Sequence, residues 1–372
     1  MYLKETLCVP YRKVIPAETS GGGAPVNRSV QEQRIAERRV FFGPLQEVLP
    51  ALALAGPVAL FGTRRSLSAI PADGFGAATV WRFDAAQPHN PREIVDRAGE
   101  FVEEHRCATV VAIGSSSAID LGKAVSDGRD VLLALIPTAL GGAEMSRGYG
   151  IAEGDRKAGG RLRSPAPIVI YDPSLLASLP RRELGSIGIN AWAHTIEAAY
   201  ARTQHALGTA AAVEAGRTLP GLLLRAAVER DDAVHRSLFD AAHLAGFALD
   251  TRSMGLHHAV CHVIGGMTRI PHGIVNAIVL PHAIRANAHI APDAVHTVAA
   301  AFGIADLAAQ SEAIAIAFDL PRTFAEIGAA PGLAARALPL VMEQPLLRNN
   351  PAPPDEALVR DLLNAAYGPA NS

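Results

Sequence analysis

Four histidines, His257, His258, His262 and His272, fall within one stretch, GLHHAVCHVIGGMTRIPHG (residues 255–273). Neutral imidazole is a metal ligand, and imidazole also exchanges protons near neutral pH, so such a cluster points to a metal centre or to acid–base chemistry. His258 and His262 stand at i, i+4, which places both on one helix face. Upstream, INAWAHTIEA repeats that spacing with Asn190 and His194. Pro271 marks a helix start that holds His272. Three imidazoles and one oxygen donor match the ligand count of a catalytic divalent-metal site, with Asn190, His194, His258 and His272 as the set. His257 and His282 read as structural.

A second chemical signal is ATVVAIGSSSAIDLGKAVSD, which reads as strand, turn and helix. The turn is Gly114-Ser115-Ser116-Ser117. Backbone N–H groups at such a helix start point outward, and the helix dipole favours an anion there, so the turn suits a phosphate. Serine as an ordinary N-cap is the competing reading. In PVALFGTRRS, Arg64 and Arg65 follow an apolar strand at the place where a carboxylate often holds the adenosine ribose. A guanidinium there suits a 2′-phosphate, favouring NADPH over NADH.

The elements that carry these groups divide the 372 residues into three parts. Residues 1–38 are polar and broken by SGGGAP, the composition of a flexible arm. Residues 39–180 contain the apolar runs RRVFFG, PVALFG, ATVWRFD, ATVVAIG, VLLALIP and PIVIYDP, with helix-period stretches such as PREIVDRAGEFVEEH between them. Strands apolar on both sides, alternating with helices, predict an α/β domain with a parallel Rossmann-like sheet. Residues 181–372 lose the β-branched runs and predict an all-helical catalytic domain, with the ligand cleft between the two.

Composition narrows the function classes. With 49% hydrophobic residues, 19% charged residues and a formal net charge of −2, the chain has no electrostatic footprint for nucleic acid or a membrane surface. Cys8, Cys107 and Cys261 are too few and too far apart for a disulfide framework or a zinc knuckle. No apolar run approaches the roughly 20 residues that span a bilayer. The expectation is a cytoplasmic protein acting on a small molecule.

The order of motifs resembles the iron-containing alcohol dehydrogenase superfamily, whose fold is that of dehydroquinate synthase. The family's GGGSxxDxAKA corresponds to Gly114–Ser117 with Asp120 and Lys123, and its PTTxxGSE to Pro137–Ser146. Its DAxxHxxEA corresponds to NAWAHTIEA from Asn190. Its closing HxxxHxxGxxxxxPHGxxNAxxLPH is matched from His258 to His282. Within it the chain resembles the maleylacetate reductases, which reduce the carbon–carbon double bond of 2-maleylacetate with NAD(P)H to give 3-oxoadipate. The resemblance implies a pyrophosphate on Gly114, Ser115, Ser116 and Ser117 with Asp120 nearby, and Thr138 and Leu140 beside the nucleotide. It implies His194, His258 and His272 around the metal position and His262 as the proton donor beside the nicotinamide. It also implies a carboxylate substrate and a homodimer, joined through edge strands of the RRVFFG type.

Departures from the pattern sharpen these expectations. Asn190 replaces a carboxylate with a neutral amide, which weakens binding of a hard cation, so no metal is expected. Ser115 and Ser116 replace glycines, and Ala143 replaces a serine. Ala259 and Ala352 stand where the branch carries Lys and Arg, leaving Arg147, Lys157, Arg252 and Arg269 as candidates to hold a dicarboxylate. Two other readings remain open here: a metal-dependent alcohol dehydrogenase, and a non-redox cyclase, lyase or isomerase on the same fold.

Overall fold

The structure is a computed structural model that describes residues 31–35, 38–54, 56–87, 90–153, 156–268 and 270–369. The strands are β1 (Gln31–Ile35), β2 (Arg38–Phe42), β3 (Val58–Phe61), β4 (Val80–Phe83), β5 (Thr109–Gly114), β6 (Leu132–Pro137), β7 (Gly148–Glu153), β8 (Arg156–Arg161) and β9 (Ile168–Tyr171). Among them lie α1 (Leu45–Ala51), α2 (Arg64–Leu67), α3 (Arg92–Glu104) and α4 (Ser116–Ser126). After β9 the described chain is helical: α5 (Ser174–Ala177), α6 (Arg181–Tyr200), α7 (Ala206–Ala226), α8 (Asp232–Arg252), α9 (Leu256–Met267), α10 (His272–Ile290), α11 (Pro292–Phe302), α12 (Leu307–Ala317), α13 (Leu333–Met342) and α14 (Glu356–Tyr367).

Seven strands form one sheet in the order β1-β2-β9-β6-β5-β3-β4, parallel except for β1. All six apolar runs become strands, and β3, β5 and β9 are buried along their whole length. Alternation sorts their side chains onto two faces. Ala59, Phe61, Val110, Ala112, Leu133 and Leu135 pack with α3 and α4, while Val58, Leu60, Val111, Ile113, Ala134 and Ile136 pack with α1 and α2. Val40, Phe42, Val169 and Tyr171 continue into the core of the helices, joining Trp192, Phe239 and Phe302. The α/β and helical halves therefore share one apolar interior rather than meeting through a thin linker.

Two expectations need correction. Residues 31–35, counted with the flexible arm, form β1 and pair antiparallel with β2, Ile35 opposite Arg38; residues 1–30 and 36–37 of that arm lie outside the described residues. β2 is flanked by β1 and β9, so the RRVFFG strand offers no open edge to a second subunit. The β7–β8 hairpin is an addition, formed in the glycine-containing segment RGYGIAEGDRKAGGR. Among the described residues, no single helix is long and apolar enough to cross a membrane.

The chain runs from β3 to β4 on one side and returns to β5 on the other, so strand order reverses between β3 and β5. A crevice outside the carboxyl ends of such strands is the usual ligand position. Both ends carry glycine for steric reasons. A Cβ on Gly62 would lie 2.8 Å from the Ile113 carbonyl oxygen, and one on Gly114, at φ +150°, would lie 2.8 Å from the Ala118 methyl.

Candidate active site

The helical side of the site is assembled from three helices. α6 carries Asn190, His194 and Glu197 on one face, α9 carries His257, His258 and His262, and α10 begins at His272 with Pro271 as its cap. The rings of His194 and His258 stack at 4.8 Å between centroids. His258, His262 and His272 form a triangle with three 6.0 Å edges. The four histidines singled out by spacing thus meet as one group. His282 lies ten residues beyond His272 on α10, about 15 Å along the axis.

A residue the sequence reading passed over organises this group. Glu197, fully buried, approaches His258 Nδ1 at 2.6 Å through Oε2 and accepts the His257 backbone N–H at 2.8 Å through Oε1. His258 Nε2 faces Asn190 Oδ1 at 3.2 Å. Burial pushes the Glu197 carboxyl up to about 8, against the pull of backbone N–H donors from His257, Gly255 and His258. Burial also drives His258 well below its ordinary value, helped by the neighbouring imidazoles, and brings His194 and His257 down to about 3. A proton bridges Glu197 Oε2 and His258 Nδ1 across that short contact. Glu197 follows His194 by three residues, which was the available sequence signal, but that spacing is shared by many helical carboxylates.

The divalent metal that the ligand count suggests would find no charged ligand at the Asn190 position. Asn190 contributes a neutral amide oxygen, 3.2 Å from His258 Nε2, where a carboxylate would supply charge. The ligand atoms of Glu197, His257 and His258 lie within 4.8 Å of one another. Yet the 2.6 Å Glu197–His258 contact is a hydrogen bond, shorter than the roughly 3.3 Å between two ligands of one tetrahedral ion. What the group offers is imidazole N–H donors in a water-poor wall, with His194 Nδ1 buried and unpartnered among the described residues.

The sheet side offers the opposite. α4 starts at Ser116 behind Ser115, whose side chain makes no capping bond, and Ser115 and Ser116 are exposed. Gly114 at the end of β5 and an uncapped helix start fit a pyrophosphate. Asp120 is turned to structure instead: it accepts the Gly150 N–H at 3.1 Å and pairs with Lys123 at 2.9 Å. Lys123 is fully buried and donates to the carbonyls of Ala143, Ser146 and Gly148. Leu140 is also fully buried, in the shared core, so its side chain packs there. Arg64 is exposed but bound to Asp84 at 2.8 Å, which raises the cost of recruiting it to a phosphate.

Residues 138–147 connect the two sides as a strap. The Thr138 N–H donates to the Gly114 carbonyl at 3.0 Å. A Cβ on Gly141 would lie 2.8 Å from Ser116 Oγ, and one on Gly142 would lie 3.0 Å from Gly246 Cα and 3.8 Å from His194 Nδ1. Within five residues the strap passes from the phosphate turn to the histidines, so the two motifs are neighbours along it. An open hollow of about 610 Å³ lined by Leu49, Leu54, Pro57 and Phe75 sits at the other end of β3 and carries no such groups.

Of the cations expected to replace Ala259 and Ala352, Arg252 is excluded. It is buried and donates to the Ala198 and Ala201 carbonyls at the end of α6. Arg269 and the Lys157 side chain lie outside the described residues. Arg147 sits at the end of the strap and pairs with Asp250 at 3.0 Å.

Comparison with known proteins agrees with this architecture. Residues 59–173 match the family model for iron-containing alcohol dehydrogenase, and residues 186–367 match the C-terminal model of the Fe-containing alcohol dehydrogenase family. A maleylacetate reductase of Sphingobium indicum is 32% identical over 341 residues, covering 88% of this chain and 95% of the relative. The solved maleylacetate reductase of Rhizobium sp. superposes with a TM-score of 0.80 at 27% identity, covering 92% of this chain and 99% of that one. A sulfoacetaldehyde reductase of Bifidobacterium kashiwanohense, solved with NAD+, shares the fold at a TM-score of 0.79 and 20% identity, over 88% of this chain and 96% of that one.

Proposed function

This chain belongs to the iron-containing alcohol dehydrogenase family and is an oxidoreductase of the maleylacetate-reductase type; from that premise we propose that it reduces an unsaturated oxo acid with NADH or NADPH and without a metal. The observation that supports this reading is the strap, which runs from the Gly114 turn to the His194 wall within five residues.

In this reading Gly114, Ser115, Ser116 and Ser117 hold the pyrophosphate through backbone N–H groups, with Thr138 beside the nucleotide. Arg64 meets a 2′-phosphate where NADPH is used, in competition with Asp84. The nicotinamide supplies a hydride when bound. The protein's part is electrostatic and protic. His194, His258 and His272 direct N–H donors at the oxygen on which negative charge develops, and burial of the first two strengthens those donors. Glu197 fixes the proton pattern and orientation of His258. His262, half-buried, is the proton donor to the enolate carbon next to the one that receives the hydride. We place the enzyme in the cytoplasm as a homodimer.

The test is to titrate the purified protein with NADH and NADPH, follow nicotinamide fluorescence, and then add 2-maleylacetate. Binding followed by oxidation of the nicotinamide without added metal is expected. Absence of binding at millimolar dinucleotide, or turnover only with a divalent ion, would contradict the reading.

A further inference from the structure

Two arginines flanking the β7–β8 hairpin converge on one carboxylate. Arg147, just before β7, meets Asp250 through Nε and through its backbone N–H, each at 3.0 Å. Arg161, the last residue of β8, reaches the same carboxylate at 3.0 Å and the Asp250 carbonyl at 3.3 Å. The Asp250 side chain is 9% exposed, whereas those of Arg147 and Arg161 are 34% and 49% exposed. Two guanidinium groups against one carboxylate leave one positive charge uncompensated within this trio. With Nε engaged, both Nη groups of Arg147 have no partner among the described residues, and such a planar fork matches a carboxylate.

Its position is specific. Asp250 follows Gly246 by four residues on α8, hence about one turn or 5.4 Å along the same face. Gly246 is the point at which α8 meets Gly142, and Gly142 faces His194. The surplus charge therefore lies roughly one turn from the place where the strap reaches the histidine wall. An extended six-carbon diacid separates its terminal carbons by about 6 Å at standard bond lengths.

We propose that Arg147 and Arg161, which meet at Asp250, form an anion subsite for the second carboxylate of a dicarboxylate substrate, the end remote from the reacting double bond. The subsite supplies the cations missing at Ala259 and Ala352, and it deepens the reductase reading, on which it rests. A purely structural bridge between the halves would make Asp250 as important as the arginines; an anion subsite makes the arginines matter for diacids while Asp250 does not.

The experiment measures adipate and hexanoate binding to the full chain by thermal shift, beside a parallel NADH titration. Adipate is expected to raise the melting temperature more than hexanoate. Arg147→Met with Arg161→Met is expected to weaken adipate binding about tenfold or more and leave hexanoate unchanged, while Asp250→Asn retains the adipate preference. If the double variant does not fold, Arg147→Met alone reads the same preference. Equal shifts for the two acids in the wild type, or loss of the preference in Asp250→Asn as large as in the arginine variant, would overturn the proposal. Failure of NADH to bind would instead overturn the reductase reading, since the diacid comparison needs no nucleotide.

Discussion

On the helical side of the crevice, Glu197, His257 and His258 hold one another in contacts of 2.6–3.2 Å, wholly shielded from solvent. On the sheet side, Ser115 and Ser116 are exposed and α4 begins without a side-chain cap. Buried polar groups must satisfy one another, because an unmade hydrogen bond there costs far more than one at the surface. Exposed backbone donors can wait for a ligand while water occupies them. The contrast explains why departures from the family pattern weigh differently on the two sides. Asn190 changes the charge of an enclosed group and with it what the site can hold, whereas serine for glycine at positions 115 and 116 adds only small side chains at an open rim.

Perturbing each side tests that contrast. The largest effect is expected at Glu197. Replacing it with Ala strands the donors it accepts and the His258 Nδ1 contact, so Glu197→Ala should lose about 3 kcal/mol in denaturant unfolding, and Glu197→Gln less than half as much. Equal, small losses for both would mean that the buried side is not self-satisfied. Next, Asn190→Asp restores a carboxylate, and divalent-metal affinity measured by calorimetry should rise about 10- to 100-fold. Tight metal binding by the wild type with no gain in the variant would contradict the account of Asn190. The smallest effect belongs to the open rim: Ser116→Gly should tighten NADH binding by only about threefold.

Much of this was legible in the sequence, for identifiable reasons. Apolar runs bounded by turn residues gave every parallel strand, and the i, i+4 pairs gave His194, His258 and the faces that meet. What escaped depended on tertiary partners. Glu197 looked like any helical carboxylate until α9 packed against α6. Arg64 and Arg252 read as available cations, but Asp84 holds the first and the α6 carbonyls hold the second. Leu140 followed its motif neighbours toward the nucleotide, whereas packing took its side chain into the shared core. β1 is polar and adjoins a glycine-rich segment, so only its pairing with β2 reveals it as a strand.

The account depends most on the imidazoles and the phosphate turn serving a single pair of reactants. Single-turnover oxidation of enzyme-bound NADH by 2-maleylacetate, compared between wild type and His262→Asn, tests this most directly. The wild type should consume the bound nicotinamide in one phase, and the variant should bind it equally well but oxidise it about 10²- to 10⁴-fold more slowly. A variant that reacts at the wild-type rate, or that fails to bind NADH at all, would contradict the shared crevice and the role given to His262.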